Sequence, residues 1–496
     1  MLLLCFHGIW GILLGWSIAS YGLGTSRDSA EYLFTSLNLS KHLGFISFAG
    51  DRYILWPPLY PILLSVIQQI SGFNPLQSAS ILQWITFGWI SLLLSWLFLK
   101  IFPDRFLFAF TGNALAGTGV AMTMLFQGVG SDYLFIALVL SFAYFSDQYM
   151  SHNHVRALGL MTLVSALAML QRYLGVSVLI SGFLLVYFYS RMDFWHRIKR
   201  SAIVGLSILP LVAWVFYISV SALERGEPSS LAENVYWFSF SSLNWFFSYS
   251  DLSSHPFRTT IGIGGIWFLA IACIFIILTL RKGTSQMTCT EIPVLVFGLT
   301  YAVILLVIAT LRSFNRLDGR FVAPLYIPFI LLLMVSLESL MSASLFRDRL
   351  GRNASAILVW STLLVLFGLS TARSMEAINV QRAESWGYTS REWYDNQALH
   401  YWLQHQPADN SPAFSNYPAG IAIHSWMETR ASPRKVYRLV EYTGTLFEDR
   451  KASYLIWIEP NTYTHVYNVD ELRQIATVET LYEGEDGGVY RLLPLK

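Results

Sequence analysis

The residues able to do chemistry in this sequence are carboxylates and guanidinium groups set at the edges of apolar runs. The stretch from Thr25 to Pro61, TSRDSAEYLFTSLNLSKHLGFISFAGDRYILWPPLYP, concentrates Arg27, Asp28, Glu31, Asp51 and Arg52 directly after the apolar run 1–20. A carboxylate held at a membrane surface beside cationic side chains is what a general base for a hydroxyl nucleophile requires. Asp28 fits that task, and Glu31, one turn on, either shares it or caps the helix. Asp28-Ser-Ala-Glu31 equally matches a helix N-cap with its partner at the third position, so the structural alternative stands beside the catalytic one. Asp132, in Gly130-Ser-Asp-Tyr-Leu-Phe135, is a second acid at the start of an apolar run, where Ser131 or Asp132 also fits a cap. Arg172 interrupts what is otherwise a continuous apolar stretch from Leu158 to Tyr189. An arginine there is expensive unless it meets a wet cavity or an anion, or snorkels to the interface. Arg316 and Arg320 stand just ahead of Phe321-Val-Ala-Pro324. Guanidinium groups bind phosphate through paired N–H donors, and several beside a membrane would hold an anionic lipid head; the alternative is ordinary flanking cations.

The elements that must position these groups are membrane spans. Of 496 residues, 54% are hydrophobic and 13% charged, with a mean hydropathy of +0.48, which reads as a polytopic helical membrane protein. Apolar runs of spanning length fall near 1–20, 79–99, 106–127, 131–150, 155–170, 173–190, 201–220, 259–280, 292–311, 321–342 and 354–372. The segment 57–73 is short, with three prolines and a Gln68-Gln69 pair, and reads as re-entrant or interfacial. That leaves about eleven spans with the N-terminus inside, and it gathers Lys100, Arg105, Arg156 and the basic stretches 191–200, 281–282 and 347–352 on the cytoplasmic face. Asp28, Asp51, Asp132, Arg172 and the loop 312–320 then emerge together on the extracytoplasmic face. Between the first two runs, 29–43 carries Ala30, Leu33, Phe34 and Leu37 on one stripe and Glu31, Asn38 and Lys41 on the other, the pattern of a helix lying flat in the interface. Trp56, Tyr53 and Tyr60 suit headgroup depth. The aromatic run 234–250 fits either an interfacial belt or the wall of a lipid cleft.

From Arg373 the chain turns polar, with no run of spanning length. Residues 391–405 read as an amphipathic helix, and 452–458 and 488–493 as strands. The division expected is a transmembrane unit, 1–372, and a small extracytoplasmic α/β domain, 373–496, long enough to bury a core of its own. The net charge of +2 calls for no nucleic acid partner. Cys5, Cys273 and Cys289 make neither a disulfide framework nor a metal spacing. No glycine-rich phosphate loop, nucleophile elbow or metal-binding histidine motif is present, which argues against an ATP-driven pump or a serine hydrolase.

SRDSAEYL in the first outer loop, PPLYP after it, SDYLF in the second, then QRYLG and GRFVAPLY, together resemble the GT-C superfamily of membrane glycosyltransferases. The likeness is to the glycosyltransferase family 39-like branch that includes protein mannosyltransferases and the lipid A aminoarabinose transferase. The resemblance implies a GT-C fold in a bacterial inner membrane and transfer of a sugar from a polyprenyl-phosphate donor to an extracytoplasmic acceptor, usually with inversion. By position, Asp28 is the catalytic carboxylate, Asp132 the second-loop acid, and Arg172 and Arg320, with Arg316 beside them, contact the donor phosphate. Glu31, Asp51, Arg52 and Tyr60 line the substrate side. Protein mannosyltransferases show adjacent Asp-Glu, whereas Ser29 follows Asp28 here and the glutamate comes at 31, so a protein acceptor does not carry over. No cofactor is called for with certainty; some GT-C enzymes hold a divalent cation at the loop acids, which Asp28 and Asp132 would do only at close approach. Two other readings remain: a flippase or transporter of polyprenol-linked glycans, which needs polar residues at the midplane that spans such as 261–280 and 292–311 do not offer, and a non-catalytic scaffold, which leaves Arg172 without a purpose.

Overall fold

The computed structural model describes residues 1–189, 193–218, 230–246, 289–311, 317–342, 352–407, 411–447, 452–460, 463 and 465–495. Arg316, the span at 259–280 and the basic stretches at 281–282 and 347–351 lie outside the described residues.

Helices follow one another from the N-terminus: α1 (Leu2–Ile18), α2 (Arg27–Ser40), α3 (Leu59–Ser71), α4 (Pro75–Ile101), α5 (Phe106–Thr118), α6 (Val120–Gln127), α7 (Ser131–His152), α8 (Val155–Gln171) and α9 (Val176–Tyr189). After them come α10 (Phe194–Gly205), α11 (Leu209–Ile218), α12 (Leu231–Leu243), α13 (Glu291–Leu311), α14 (Gly319–Val322), α15 (Tyr326–Ser342) and α16 (Arg352–Ala383). Among the described residues, six helices are long and apolar enough to cross a membrane, seven if α5 and α6, bent by 40° at Gly119, count as one. The runs expected at 1–20, 155–170 and 173–190 form shorter apolar helices, as does α3. α3 starts at Leu59, directly after Pro57-Pro58, where a missing N–H costs nothing.

α2, expected as a helix lying flat in the interface, is covered by other parts of the chain on more than one side. It packs on α3 and on a helix of the C-terminal unit (α19, Pro418–Ser425), and Glu31 and Asn38 are buried along with Ala30 and Leu33, Asn38 donating to Ile46 O at 3.0 Å. A polar stripe there faces another part of the chain rather than water.

The C-terminal unit follows α16 and carries α17 (Arg391–Asp395) and α18 (Gln397–Gln404), two helices in place of the single one expected over 391–405. The break is at Asn396, whose side chain caps α18 by accepting from the Leu399 N–H at 2.8 Å. The sheet has five strands, β1 (Ala413–Ser415), β2 (Thr429–Ala431), β3 (Ser453–Ile458), β4 (Ala476–Gly484) and β5 (Gly487–Pro494), in the order β2-β1-β3-β5-β4. β1 runs parallel to β2 and β3, while β3–β5 and β5–β4 are antiparallel, with Leu455 opposite Tyr490. The alternation of a strand divides the core: Leu455 and Trp457 pack with Phe414 and Leu492 on one face, Ile456 and Ile458 with Trp402 and Ile421 on the other.

This unit is joined to the membrane helices by backbone as well as side chains. Tyr388 N–H donates to Thr25 O at 3.1 Å and Thr429 N–H to Phe48 O at 3.0 Å. Gly387 lies at φ +66° against Thr25 O, where a Cβ has no room. Trp386 fills the space left by Gly24 and Gly128.

Candidate functional site

α2 begins with a capping box, but its members are Ser26 and Ser29, not Asp28 and Glu31. The Ser29 hydroxyl also donates to Val129 O at 2.7 Å, tying α2 to the segment that leads into α7. Asp28, in the first turn, is thus spared from capping, and its carboxylate accepts from Arg320 Nη1 at 3.3 Å. At 29% and 43% side-chain exposure this pair is wet. Arg320 is held from behind by Asp318, which caps α14 by accepting from the Arg320 and Phe321 N–H groups and lies 3.5 Å from Arg320 Nε. Asp318 had no assigned role in the sequence reading; its position two residues before an arginine at a helix start was the available signal.

α7 starts at Ser131 with Gly130 at its N-cap and no side-chain cap. The Ser131 hydroxyl is bonded instead to that of Tyr32 at 3.3 Å, and Asp132 is ion-paired with Arg172. Arg172 sits where α8 ends, in extended conformation, with its guanidinium 5.6 Å from the Phe321 ring centroid. This second pair is nearly dry, with side chains 11% and 8% exposed. Tyr32 is the common neighbour: its phenol lies within electrostatic reach of Asp28, Arg172 and Arg320. Burial raises its pKa well above the ordinary phenol value, so it stays a neutral hydrogen-bond donor. Tyr60 is buried beneath it, ring to ring at 5.1 Å in edge-to-face contact.

Two cavities flank α2. One, of about 460 Å³, is bounded by Val120, Met124, Trp245, Val380 and Trp386, with Asp132 and Arg320 at its polar end. Trp245, from the aromatic run, packs on Tyr326 at 5.2 Å and lines this cavity, while Tyr236 of the same run is exposed; 247–250 lie outside the described residues. The other cavity, of about 520 Å³, has a mixed lining and holds Arg27, Glu31, Asp51 and Arg52 opposite residues of the C-terminal unit. Burial raises the Glu31 carboxyl to about 7, with Arg27 pulling it down and Asp28 and Asp51 adding to the rise. The sequence-derived acids and arginines therefore divide: Asp28, Asp132, Arg172 and Arg320 meet around Tyr32, while Glu31, Asp51 and Arg52 face the second cavity.

Among the described residues no group of three or more His, Cys, Asp or Glu side chains gathers as metal ligands. The donor set also fits a divalent cation poorly, because Asp28 and Asp132 each engage an arginine, and two guanidinium charges oppose a third cation.

At the far end of the bundle, Lys100 on α4 pairs with Asp147 on α7, whose other carboxylate oxygen accepts from Thr290 at 2.8 Å. Arg105 pairs with Glu338 at 3.2 Å. Basic side chains thus collect opposite the site.

No protein-family model and no curated protein sequence matches the chain. Solved structures do. ArnT from Cupriavidus metallidurans bound to undecaprenyl phosphate superposes with a TM-score of 0.61 at 12% identity, covering 98% of this chain and 97% of that one. Its apo structure gives 0.62 at 13% identity over the same shares. A mutant of the arabinofuranosyltransferase AftD from mycobacteria gives 0.55 at 11% identity, covering 99% of this chain and 41% of that one. The chain shares its overall fold with these structures: a polytopic helical membrane protein with a small C-terminal sheet.

Proposed function

We propose that this protein is an integral membrane glycosyltransferase that moves a sugar from a polyprenyl-phosphate donor to an acceptor hydroxyl on the extracytoplasmic side. The observation that carries the reading is the wet Asp28–Arg320 pair, whose arginine lines the polar end of the apolar cavity, with Arg172 held nearby against Phe321. An apolar cleft ending in guanidinium groups suits a lipid phosphate, and ArnT, which shares the fold, has been crystallised with undecaprenyl phosphate. A solvent-exposed ion pair contributes little stability. Arg320 is consequently free to exchange Asp28 for a phosphate oxygen when donor arrives. That exchange releases the Asp28 carboxylate to accept a proton.

In the reaction, the acceptor oxygen attacks the anomeric carbon, its proton passes to Asp28, and the bond from that carbon to the phosphate oxygen breaks with its electron pair leaving on the polyprenyl phosphate. The charge that gathers on the leaving phosphate is met by Arg320 and Arg172, with Arg316 as a further donor-side cation. This is an interaction stronger in the transition state than in the bound donor. Asp132 serves by holding Arg172 in place, and Tyr32 by offering a neutral hydroxyl between the two arginines. Glu31, Asp51 and Arg52 border the acceptor side, and Tyr60 supports Tyr32 from below. The working division is the transmembrane unit 1–372 and the domain 373–496. The basic end of the bundle favours a cytoplasmic position for that end and an extracytoplasmic one for the site. A bacterial inner membrane is the setting.

Asp28→Asn should abolish sugar transfer from a radiolabelled polyprenyl-phosphate sugar while membrane insertion and undecaprenyl phosphate binding persist. Full turnover by that variant would overturn the assignment of the base, and a protein that binds no polyprenyl phosphate would overturn the function.

A further inference from the structure

The second cavity has two walls from distant parts of the chain. Arg27, Glu31, Asp51 and Arg52 come from the first loop and α2; Tyr388, Asn416, Tyr417, Arg434, Tyr463 and His465 come from the C-terminal unit. The walls are fixed relative to each other, because Tyr388 N–H donates to Thr25 O and Thr429 N–H to Phe48 O, and α19 packs along α2. The cleft is therefore built before any ligand arrives.

Its charge is lopsided. Among the described residues Arg27, Arg52 and Arg434 make no ion pair, although every other arginine described around the catalytic acids does. Two carboxylates stand on the cavity wall, Asp51 and the buried Glu31, whose carboxyl burial pushes up to about 7. Three exposed guanidinium groups left without carboxylates around one concave surface amount to an anion site. Between them stand phenol rings: Tyr417 lies 4.9 Å from Tyr463, and Tyr388 neighbours both, as well as Arg27. Aromatic faces with polar groups between them suit a hydroxyl-rich ring, whose C–H faces pack while its hydroxyls bond.

We propose that this cleft is the acceptor subsite and that it selects a glycan or sugar bearing an anionic group, phosphate or carboxylate, with the C-terminal unit supplying half of the recognition surface. The proposal rests on the reading of the chain as a sugar transferase. α2 links the two sites: Asp28 pairs with Arg320 on the donor side, and Glu31, three residues on and so on the same side of the helix, borders the cleft. An acceptor anchored by its anion on Arg52 and Arg434 would bring a hydroxyl past Glu31 toward Asp28.

Calorimetric titration of the full chain in lipid nanodiscs tests this without turnover. The probes are glucose, glucose 6-phosphate, glucuronate and inorganic phosphate, with undecaprenyl phosphate as the donor-side control. At least one anionic sugar should bind about tenfold or more tighter than glucose, and whichever of the two does so names the anion. Replacing Arg52 and Arg434 together by Ala should remove that preference while undecaprenyl phosphate still binds and the melting temperature holds; Arg434→Lys should retain part of it. Equal binding of glucose, undiminished binding by the double variant, inorganic phosphate binding as tightly as the sugar, or loss of undecaprenyl phosphate binding in the double variant would each overturn the proposal. Failure of Asp28→Asn to stop transfer would strike the catalytic reading instead and leave these titrations standing.

Discussion

Two carboxylate–arginine pairs of the same composition do opposite jobs because they differ in water. Asp28–Arg320 is wet and exchangeable, whereas Asp132–Arg172 is nearly dry, and breaking a buried pair strands a charge at a cost of about 3–5 kcal/mol. Asp132→Ala should therefore lower the melting temperature in detergent far more than Asp28→Ala, which should leave it close to the wild-type value while removing activity. Comparable losses from both would contradict the distinction. Glu31 adds a titration. Its folded carboxyl titrates near 7, above the 4.5 of a free glutamate, because burial opposes the charge. The folded state then holds the proton more tightly than the unfolded one, so the contribution is most favourable below about pH 4.5 and is lost as pH climbs through 7, by roughly 3 kcal/mol in all. Glu31→Gln should flatten that decline: in a pH series of thermal melts the variant should gain on the wild type between pH 5 and pH 8. A parallel pair of curves would show that Glu31 is ionised throughout.

At the scale of elements, α2 is placed by Ser29 more than by any charge. Its hydroxyl bonds the Ser26 N–H at 2.9 Å and Val129 O at 2.7 Å, so it starts the helix and also docks it. Ser26→Ala should cost about 1 kcal/mol as a lost cap, and Ser29→Ala more, with turnover falling as Asp28 drifts from Arg320. Chemical denaturation alongside initial rates would register both. α2 also marks how far the residues could be read alone. Among the described residues the spans at 79–99, 131–150, 201–220, 292–311, 321–342 and 354–372 came through, while 1–20, 155–170 and 173–190 form helices shorter than a span; Arg172 declared itself by interrupting an apolar run. The covering of the polar stripe of α2 was hidden, because Asn38 looks solvated until the following loop offers it Ile46 O, and Glu31 until the chain returns, nearly four hundred residues later, to the wall opposite it. The cap was misplaced for a related reason: Asp28 and Glu31 have the right spacing, but Ser26 and Ser29 have it too, and only the docking onto Val129 O decides between them. Asn396, which divides the helix expected over 391–405, likewise stops it by a side-chain bond that periodicity does not register.

Over the whole molecule, the joint between membrane helices and C-terminal unit is made at positions that tolerate little. Gly387→Ala sets a Cβ against Thr25 O at a positive φ, and should loosen the unit enough to speed its release by limited proteolysis, while wild-type rates would mean the joint is slack. Sidedness can be read directly: Glu485→Cys, with the native cysteines changed to serine, should react with an impermeant maleimide in intact cells, and labelling only after permeabilisation would invert the topology. α7 has a consequence of another kind. It is clamped at both ends, by Asp132 to Arg172 and by Asp147 to Lys100, two anchors about 22 Å apart along the axis at 1.5 Å per residue. A rod riveted in two places has no freedom to slide or lean when lipid tails lengthen, so the bilayer must stretch or thin to meet the protein, and the depth of the Asp132–Arg172 pair travels with the protein from one membrane to the next.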